Sequence, residues 1–88
     1  MKIIKISAMW CPSCIIVNKF WNDLKKEFSD IEFVDYDYDF DEEEVNKLEP
    51  GKILPVFIFY EDDLEVKRVV GEKKKEELYE IIKDVKTL

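Results

Sequence analysis

The tightest constraint on the fold is a pair of cysteines, Cys11 and Cys14, that separates two segments of different periodicity. The segment before the pair, Lys2–Ser7, is rich in isoleucine and is typical of a short buried strand. After the pair, apolar residues recur at steps of three and four and indicate one face of a helix: Val17, Phe20, Trp21, Leu24 and Phe28. Pro12 suits the first turn of that helix, because a missing N–H costs nothing there. The pair therefore predicts a strand, a turn that carries both sulfurs, and a helix.

The remaining chain predicts three more strands and two more helices. In order they are a strand over residues 31–36, a helix over Glu42–Leu48 capped by Asp39 or Asp41, strands over residues 55–60 and Leu64–Val70, and a helix carrying Leu78, Ile81, Ile82 and Val85. A strand–helix–strand unit favours a right-handed parallel crossover, whereas the short acidic turn before Leu64 favours an antiparallel hairpin. We therefore expect one α/β domain over residues 1–88, with the order β-α-β-α-β-β-α and helices on both faces of a mixed four-stranded sheet.

The composition limits the classes of partner. The chain has 88 residues and a net charge of −7, so its surface would repel the phosphate backbone of a nucleic acid. No segment reaches the roughly 18 apolar residues that a membrane-spanning helix requires. The N-terminus lacks the apolar region and the cleavage site of a signal peptide, so we expect a cytoplasmic protein without membrane contact. The pattern indicates no oligomer interface, and a monomer is the expectation.

The residue types that are present restrict catalysis to sulfur chemistry. The chain has two cysteines and no histidine, which excludes histidine general bases, zinc–histidine sites and serine–histidine triads within one chain. At the N-terminus of a helix, unpaired N–H groups and the macrodipole favour an anion, so Cys11 is expected to be the attacking thiolate. Cys14 lies one turn further on, where it is less exposed but can attack a mixed disulfide on Cys11.

Three other interpretations of the cysteine pair stay open. A structural disulfide would close a very short loop, whose entropy stabilises a fold by on the order of 2 kcal/mol. A structural zinc ion takes typically four ligands, so the two cysteines could supply only half of a site shared between two chains. Two buried thiols without chemistry are the third interpretation. The sequence context favours redox chemistry over all three.

Three segments resemble the thioredoxin and glutaredoxin family. Trp10-Cys11-Pro12-Ser13-Cys14 follows a strand, as the Trp-Cys-x-x-Cys motif of thioredoxins does. Residues 53–59, ILPVFIF, are similar to the segment with a cis-proline that opens the third core strand of the family. The stretch from Val70 and Gly71 into the last helix is similar to the family's Val-Gly element. These segments occur in the family's order and cover almost the whole chain, so the resemblance implies a thioredoxin fold.

The resemblance also implies how a substrate is bound. It implies that the peptide bond before Pro55 is cis, that this proline packs near the sulfurs, and that the backbone of Leu54 pairs with an extended peptide. The residues expected to form an apolar rim around Cys11 are Trp10, Pro12, Leu54, Val70 and Gly71. Neither a metal nor a cofactor is implied, because a redox-active Cys11–Cys14 disulfide carries the electrons.

Two departures from the family pattern bear on the chemistry. Thioredoxins carry a buried aspartate six residues before the first cysteine, and Lys5 stands at that position here. A lysine below the dithiol would favour thiolates, unless it extends to a sheet edge or the register of the strand differs. The chain is of glutaredoxin size, yet Leu54 replaces the polar or valine-type residue before the proline of glutaredoxins. A single Gly71 also replaces their Gly-Gly-x-x-Asp contact with glutathione.

The expected function is the reduction of disulfides in other proteins, performed as an enzyme and dithiol electron carrier. A partner similar to thioredoxin reductase, or glutathione, would then reduce the Cys11–Cys14 pair again. A glutathione-dependent glutaredoxin is one alternative. Another is a non-catalytic module of thioredoxin fold, which binds a partner and senses redox state through its thiols.

Overall fold

The computed structural model describes residues 1–87 and contains four strands and three helices. They are β1 (Lys2–Ser7), α1 (Pro12–Glu27), β2 (Glu32–Asp37), α2 (Glu42–Leu48), β3 (Val56–Glu61), β4 (Leu64–Val70) and α3 (Lys75–Lys86). The predicted order β-α-β-α-β-β-α is confirmed. Strand β3 begins one residue later than predicted, because Pro55 has no N–H to give to a strand ladder. Leu88, the last residue of the predicted domain, lies outside the described residues.

The four strands form one mixed sheet in the order β2-β1-β3-β4. Strand β1 pairs in parallel with β2, across the α1 crossover, and antiparallel with β3. Strands β3 and β4 form the predicted antiparallel hairpin. The parallel pairing places Lys5 opposite Asp35, and the antiparallel pairing places Lys5 opposite Phe57. The sheet therefore has one parallel and two antiparallel contacts, with β1 and β3 in its interior.

Two hydrophobic cores cover the two faces of the sheet, because successive residues of a strand point to opposite sides. The first core joins α1 and α3 to the sheet and includes Ile3, Val17, Trp21, Leu24, Phe57, Phe59, Leu78 and Ile82. The second core lies under α2 and includes Ile4, Ile6, Val45, Val56 and Ile58, together with both cysteines. Helices on both faces of the sheet are therefore confirmed, and the thiols belong to the α2 side.

The start of α2 differs from the prediction. Asp41 precedes the first helical residue, but its carboxylate accepts the N–H of Asp37 at 2.7 Å and makes no capping bond to the helix. Asp37 in turn accepts the N–H groups of Asp39 and Phe40, at 2.9 and 3.1 Å. Asp41 thus occupies the predicted N-cap position, but its side chain does not cap the helix, because short carboxylate side chains satisfy the loop's own N–H groups first.

Replacement of Phe57 by alanine tests the first core. Phe57 is fully buried, and its ring lies 5.4 Å from that of Trp21. We expect Phe57→Ala to lower the free energy of unfolding by about 3–5 kcal/mol, measured by urea denaturation, because the cavity is only partly refilled. Phe40 is 79% exposed, so Phe40→Ala is the matched control and should change stability by less than about 0.5 kcal/mol. Equal losses in the two variants would contradict this core.

Candidate active site

The first sulfur caps the first helix. Cys11 is the N-cap residue of α1, and its Sγ accepts the N–H of Cys14 at 3.2 Å. Pro12 follows as the first helical residue, in the position predicted for it. Cys11 is 5% exposed and Cys14 is 1% exposed, and both thiols are free. The predicted turn therefore places one sulfur at the helix terminus and the other beneath it.

The loop before β3 meets the first sulfur. The Cys11 thiol donates to the C=O of Leu54, with an S···O distance of 3.7 Å. The peptide bond between Leu54 and Pro55 is cis, which is the isomer that the family resemblance implies. The C=O of Pro55 accepts the N–H of Gly71 at 2.8 Å, and Gly71 has a φ of 93°, a left-handed conformation that favours glycine. The ends of α1, β3 and β4 are thereby held together around Cys11.

Exposed apolar side chains belong to the segments that meet around Cys11. Of the five residues expected to form the rim, Trp10, Pro12 and Val70 are exposed, Gly71 is half-buried, and the Leu54 side chain is buried. Two exposed residues that sequence reasoning missed adjoin them in the chain, Met9 at 76% and Ile53 at 63% exposure. Neither belongs to a periodic pattern, so only their neighbours in the motifs could have identified them.

Trp10 is held against the loop that precedes α2. Its indole N–H donates to the carboxylate of Asp39 at 2.8 Å. Its ring is nearly perpendicular to that of Tyr38, with 6.1 Å between the ring centres. The side chain is nevertheless 60% exposed. Sequence reasoning assigned Asp39 to the helix cap and missed this contact, because the two residues are distant in the chain. The indole is therefore a fixed apolar surface beside Cys11 rather than a free side chain.

Lys5 is the one charged residue among the buried side chains of the described chain. It is 4% exposed, its Nζ donates to Oδ1 of Asn18, and the Nζ lies 3.8 Å from Oδ1 of Asp35. The Nζ also lies 5.0 Å from the centre of the Trp21 ring, a cation–π distance. Lys5 therefore does not extend to solvent, and the register of β1 directs it into the α1 side of the sheet.

Asp35 connects this lysine to the surface. Its carboxylate accepts the indole N–H of Trp21 at 2.9 Å and the ammonium of Lys25 at 2.6 Å. The Asp35 side chain is 41% exposed, so solvent screens part of its charge. The sequence showed Asp35 only as a polar residue in a strand, and the parallel register explains why it faces Lys5.

Burial dominates the ionisation of the groups near the dithiol. It raises the pKa of the Cys14 thiol from 9.0 to about 12, and the hydrogen bond with Cys11 acts in the same direction. The charge of Lys5 opposes that rise. Burial also lowers the pKa of Lys5, and the nearby Asp35 carboxylate opposes this second shift. The Cys14 thiol is therefore difficult to ionise, and the buried charge of Lys5 offsets part of the rise in its pKa.

Other kinds of site find little support. Within residues 1–87, no three cysteine, aspartate or glutamate side chains come together in a way that could hold a metal ion. Along the described part of the chain, no helix is both long and apolar enough to cross a membrane.

Comparisons with known proteins agree with this site. A family model described as Thioredoxin matches residues 1–84. Thioredoxin of Gallus gallus is 32% identical over 83 residues, which cover 94% of this chain and 77% of that protein. The X-ray structure of Fasciola hepatica thioredoxin superposes with a TM-score of 0.85 at 30% identity, covering 94% of this chain and 78% of that one.

A third likeness concerns the fold alone. Thioredoxin f2, in its crystal structure with ferredoxin:thioredoxin reductase, superposes with a TM-score of 0.83 at 22% identity and covers 97% of this chain and 76% of that one. Fold, paired thiols and relatives together define a thiol–disulfide oxidoreductase that acts on proteins. The chain belongs to the thioredoxin family.

The raised pKa of Cys14 predicts that the reduced protein loses stability at alkaline pH. The unfolded chain releases this proton near pH 9.0, whereas the folded chain keeps it until about pH 12. Between these values the folded state binds more protons, so stability falls as the pH rises. Urea unfolding of the reduced protein at a series of pH values measures this slope.

Cys14→Ser is the control for this slope. Burial also raises the pKa of Tyr60, which contributes a similar slope to both proteins, so their difference isolates Cys14. A Cys14→Ser variant that loses stability as steeply as the reduced wild type would contradict the assignment.

Proposed function

We propose that this protein reduces disulfide bonds in other proteins, with Cys11 as the attacking thiol and Cys14 as the resolving thiol. The observation that carries the proposal is the contact between the Cys14 N–H and the Cys11 sulfur at the start of α1. A helix N-terminus favours a thiolate at the first position, where the N–H group also stabilises the anion. Cys14 lies deeper and one turn away, which suits an intramolecular second attack.

The reaction proceeds in two exchanges. The Cys11 thiolate attacks one sulfur of a substrate disulfide, forms a mixed disulfide with it, and expels the other substrate sulfur as a thiolate. Cys14 then loses its proton and attacks the Cys11 sulfur. The Cys11–Cys14 bond forms, the bond to the substrate breaks, and the second substrate sulfur leaves as a thiolate. Two electrons pass from the protein to the substrate, with no cofactor besides the two cysteines.

The backbone before Pro55 offers a docking edge for an extended peptide. Among the hydrogen bonds of residues 1–87, none uses the N–H of Leu54, while its C=O accepts the Cys11 thiol. A bound strand can therefore pair with the main chain of Leu54 beside the attacking sulfur. The exposed side chains of Trp10, Ile53 and Val70 contact the apolar residues of such a peptide.

A reductant must return the pair to the dithiol form. We assign this step to a protein reductase, the kind of partner that thioredoxin f2 has in its solved complex, or to glutathione. The cytoplasm suits a protein that acts in the reducing direction, because thiol pools there keep such pairs reduced. We further propose that the protein acts as a monomer, independently of nucleic acid and membranes.

Two serine variants test the roles of the cysteines. We expect Cys11→Ser to abolish turnover of insulin disulfides, because no other thiolate starts the reaction. Cys14→Ser should instead accumulate a mixed disulfide between Cys11 and the substrate, visible by mass spectrometry and released by dithiothreitol. Insulin reduction by Cys11→Ser at the wild-type rate would refute the assignment. Partner binding without turnover in the wild type would favour the non-catalytic module.

The reduction potential tests the direction of the reaction. We expect the Cys11–Cys14 couple to equilibrate with thiol buffers as a reversible two-electron couple at about −200 to −280 mV, within the range of thioredoxins and glutaredoxins. Mass spectrometry after alkylation counts the free thiols at each point of the titration. A much more oxidising couple would assign the protein to disulfide formation instead of reduction.

A further inference from the structure

We propose that Lys5 is a positioning residue of the second exchange: a buried ammonium, held by Asn18 and Asp35, that stabilises the thiolate which Cys14 forms when it attacks the mixed disulfide. This inference rests on the proposed function, because it concerns the step that releases the substrate.

The polar contacts of Lys5 favour the charged amine. Its Nζ donates to the side-chain amide oxygen of Asn18, lies 3.8 Å from a carboxylate oxygen of Asp35, and lies over the face of Trp21. An amide oxygen, a carboxylate and an aromatic face are each acceptors or partners of a cation. These contacts stabilise the ammonium and oppose the effect of burial, which lowers the pKa of Lys5.

Helix α1 ties this cation to the resolving thiol. Asn18 is four residues after Cys14, so both lie on one face of the helix, one turn apart. The charged and titratable groups that act on Lys5 are Asp35 from β2 and Lys25 and Cys14 from α1. On the β3 side its neighbour is Phe57, which carries no charge. A displacement of α1 or β1 would therefore change the surroundings of both Cys14 and Lys5.

The resolving thiol needs such a partner because it is buried and the chain has no histidine. Cys14 must lose its proton before its sulfur can attack Cys11, and burial opposes the formation of that anion. A nearby fixed cation lowers the free energy of the thiolate without accepting the proton. An open polar cleft of about 320 Å³ lies beside Lys5 and is lined also by Ser7, Asn18, Asn22, Lys25 and Asp35.

The second exchange can be followed with a small disulfide, 5,5′-dithiobis(2-nitrobenzoate). Cys11 attacks this reagent and releases one thionitrobenzoate; Cys14 then forms the disulfide with Cys11 and releases the second. Stopped-flow absorbance separates the two releases. Each unit of rise in the pKa of Cys14 should slow the second release by about threefold to fourfold, since the tenfold loss of thiolate is partly offset by its greater nucleophilicity.

We expect Lys5→Met to slow the second release by this factor for each unit by which it raises the pKa of Cys14, and to leave the first release unchanged. Lys5→Arg should restore the rate, because it keeps the charge. Lys26→Met is the matched control, since it removes a positive charge from an exposed position of α1 outside the cleft beside Lys5, and its rate should equal that of the wild type. Lys5→Gln serves as a second neutral variant if Lys5→Met does not fold by circular dichroism.

An equilibrium measurement separates a charge effect from a structural one. In a Cys11→Ser background, the ¹³Cβ chemical shift of Cys14 as a function of pH reports its ionisation, and Lys5→Met should move that titration to higher pH. Unchanged titration and rate in folded neutral variants would overturn the proposal, as would a folded Lys5→Arg variant as slow as Lys5→Met. A wild-type protein that never releases the second thionitrobenzoate would instead refute the proposed function.

Discussion

The sulfur of Cys11 caps α1 by accepting the N–H of Cys14, and the other parts of the site are arranged around this contact. It holds the first thiol at the positive end of a helix while placing the second in the core below. The loop before β3 then reaches Cys11 through the C=O of Leu54, and the hydrogen bond from Gly71 to Pro55 fixes that loop to the end of β4. The Cys11 sulfur thus contacts backbone groups of two segments, the start of α1 and the loop before β3.

The sheet contributes charge as well as support. The buried residues of its α2 side are apolar, whereas its α1 side contains Lys5 within a hydrophobic core. A buried ammonium is costly unless it has partners, and here Asn18, Asp35 and the face of Trp21 provide them. Charge is present where an apolar residue would pack more simply, and the lysine bonds Asn18, one helical turn after the resolving thiol.

Local patterns predicted most of the fold and the central part of the site. The period of apolar residues after Cys14 identified α1, and runs of β-branched, aromatic and other apolar residues identified the strands to within a residue or so. The motifs placed Cys11, Cys14 and Pro55 in the site. What they did not reveal were contacts made by single polar side chains, such as Trp10 with Asp39 and the use of Asp41 within its own loop.

The sequence by itself determined the strand–turn–helix unit and its dithiol, because helix periodicity, the position of Pro12 and the spacing of the cysteines are properties of neighbouring residues. Only the tertiary structure decided the setting of Lys5. Whether that lysine is an exposed edge residue or a buried cation depends on the register of β1 against β2, which brings Asp35 opposite it from 30 positions away. Register arises from packing both faces of the sheet at once, and no local pattern contains that information.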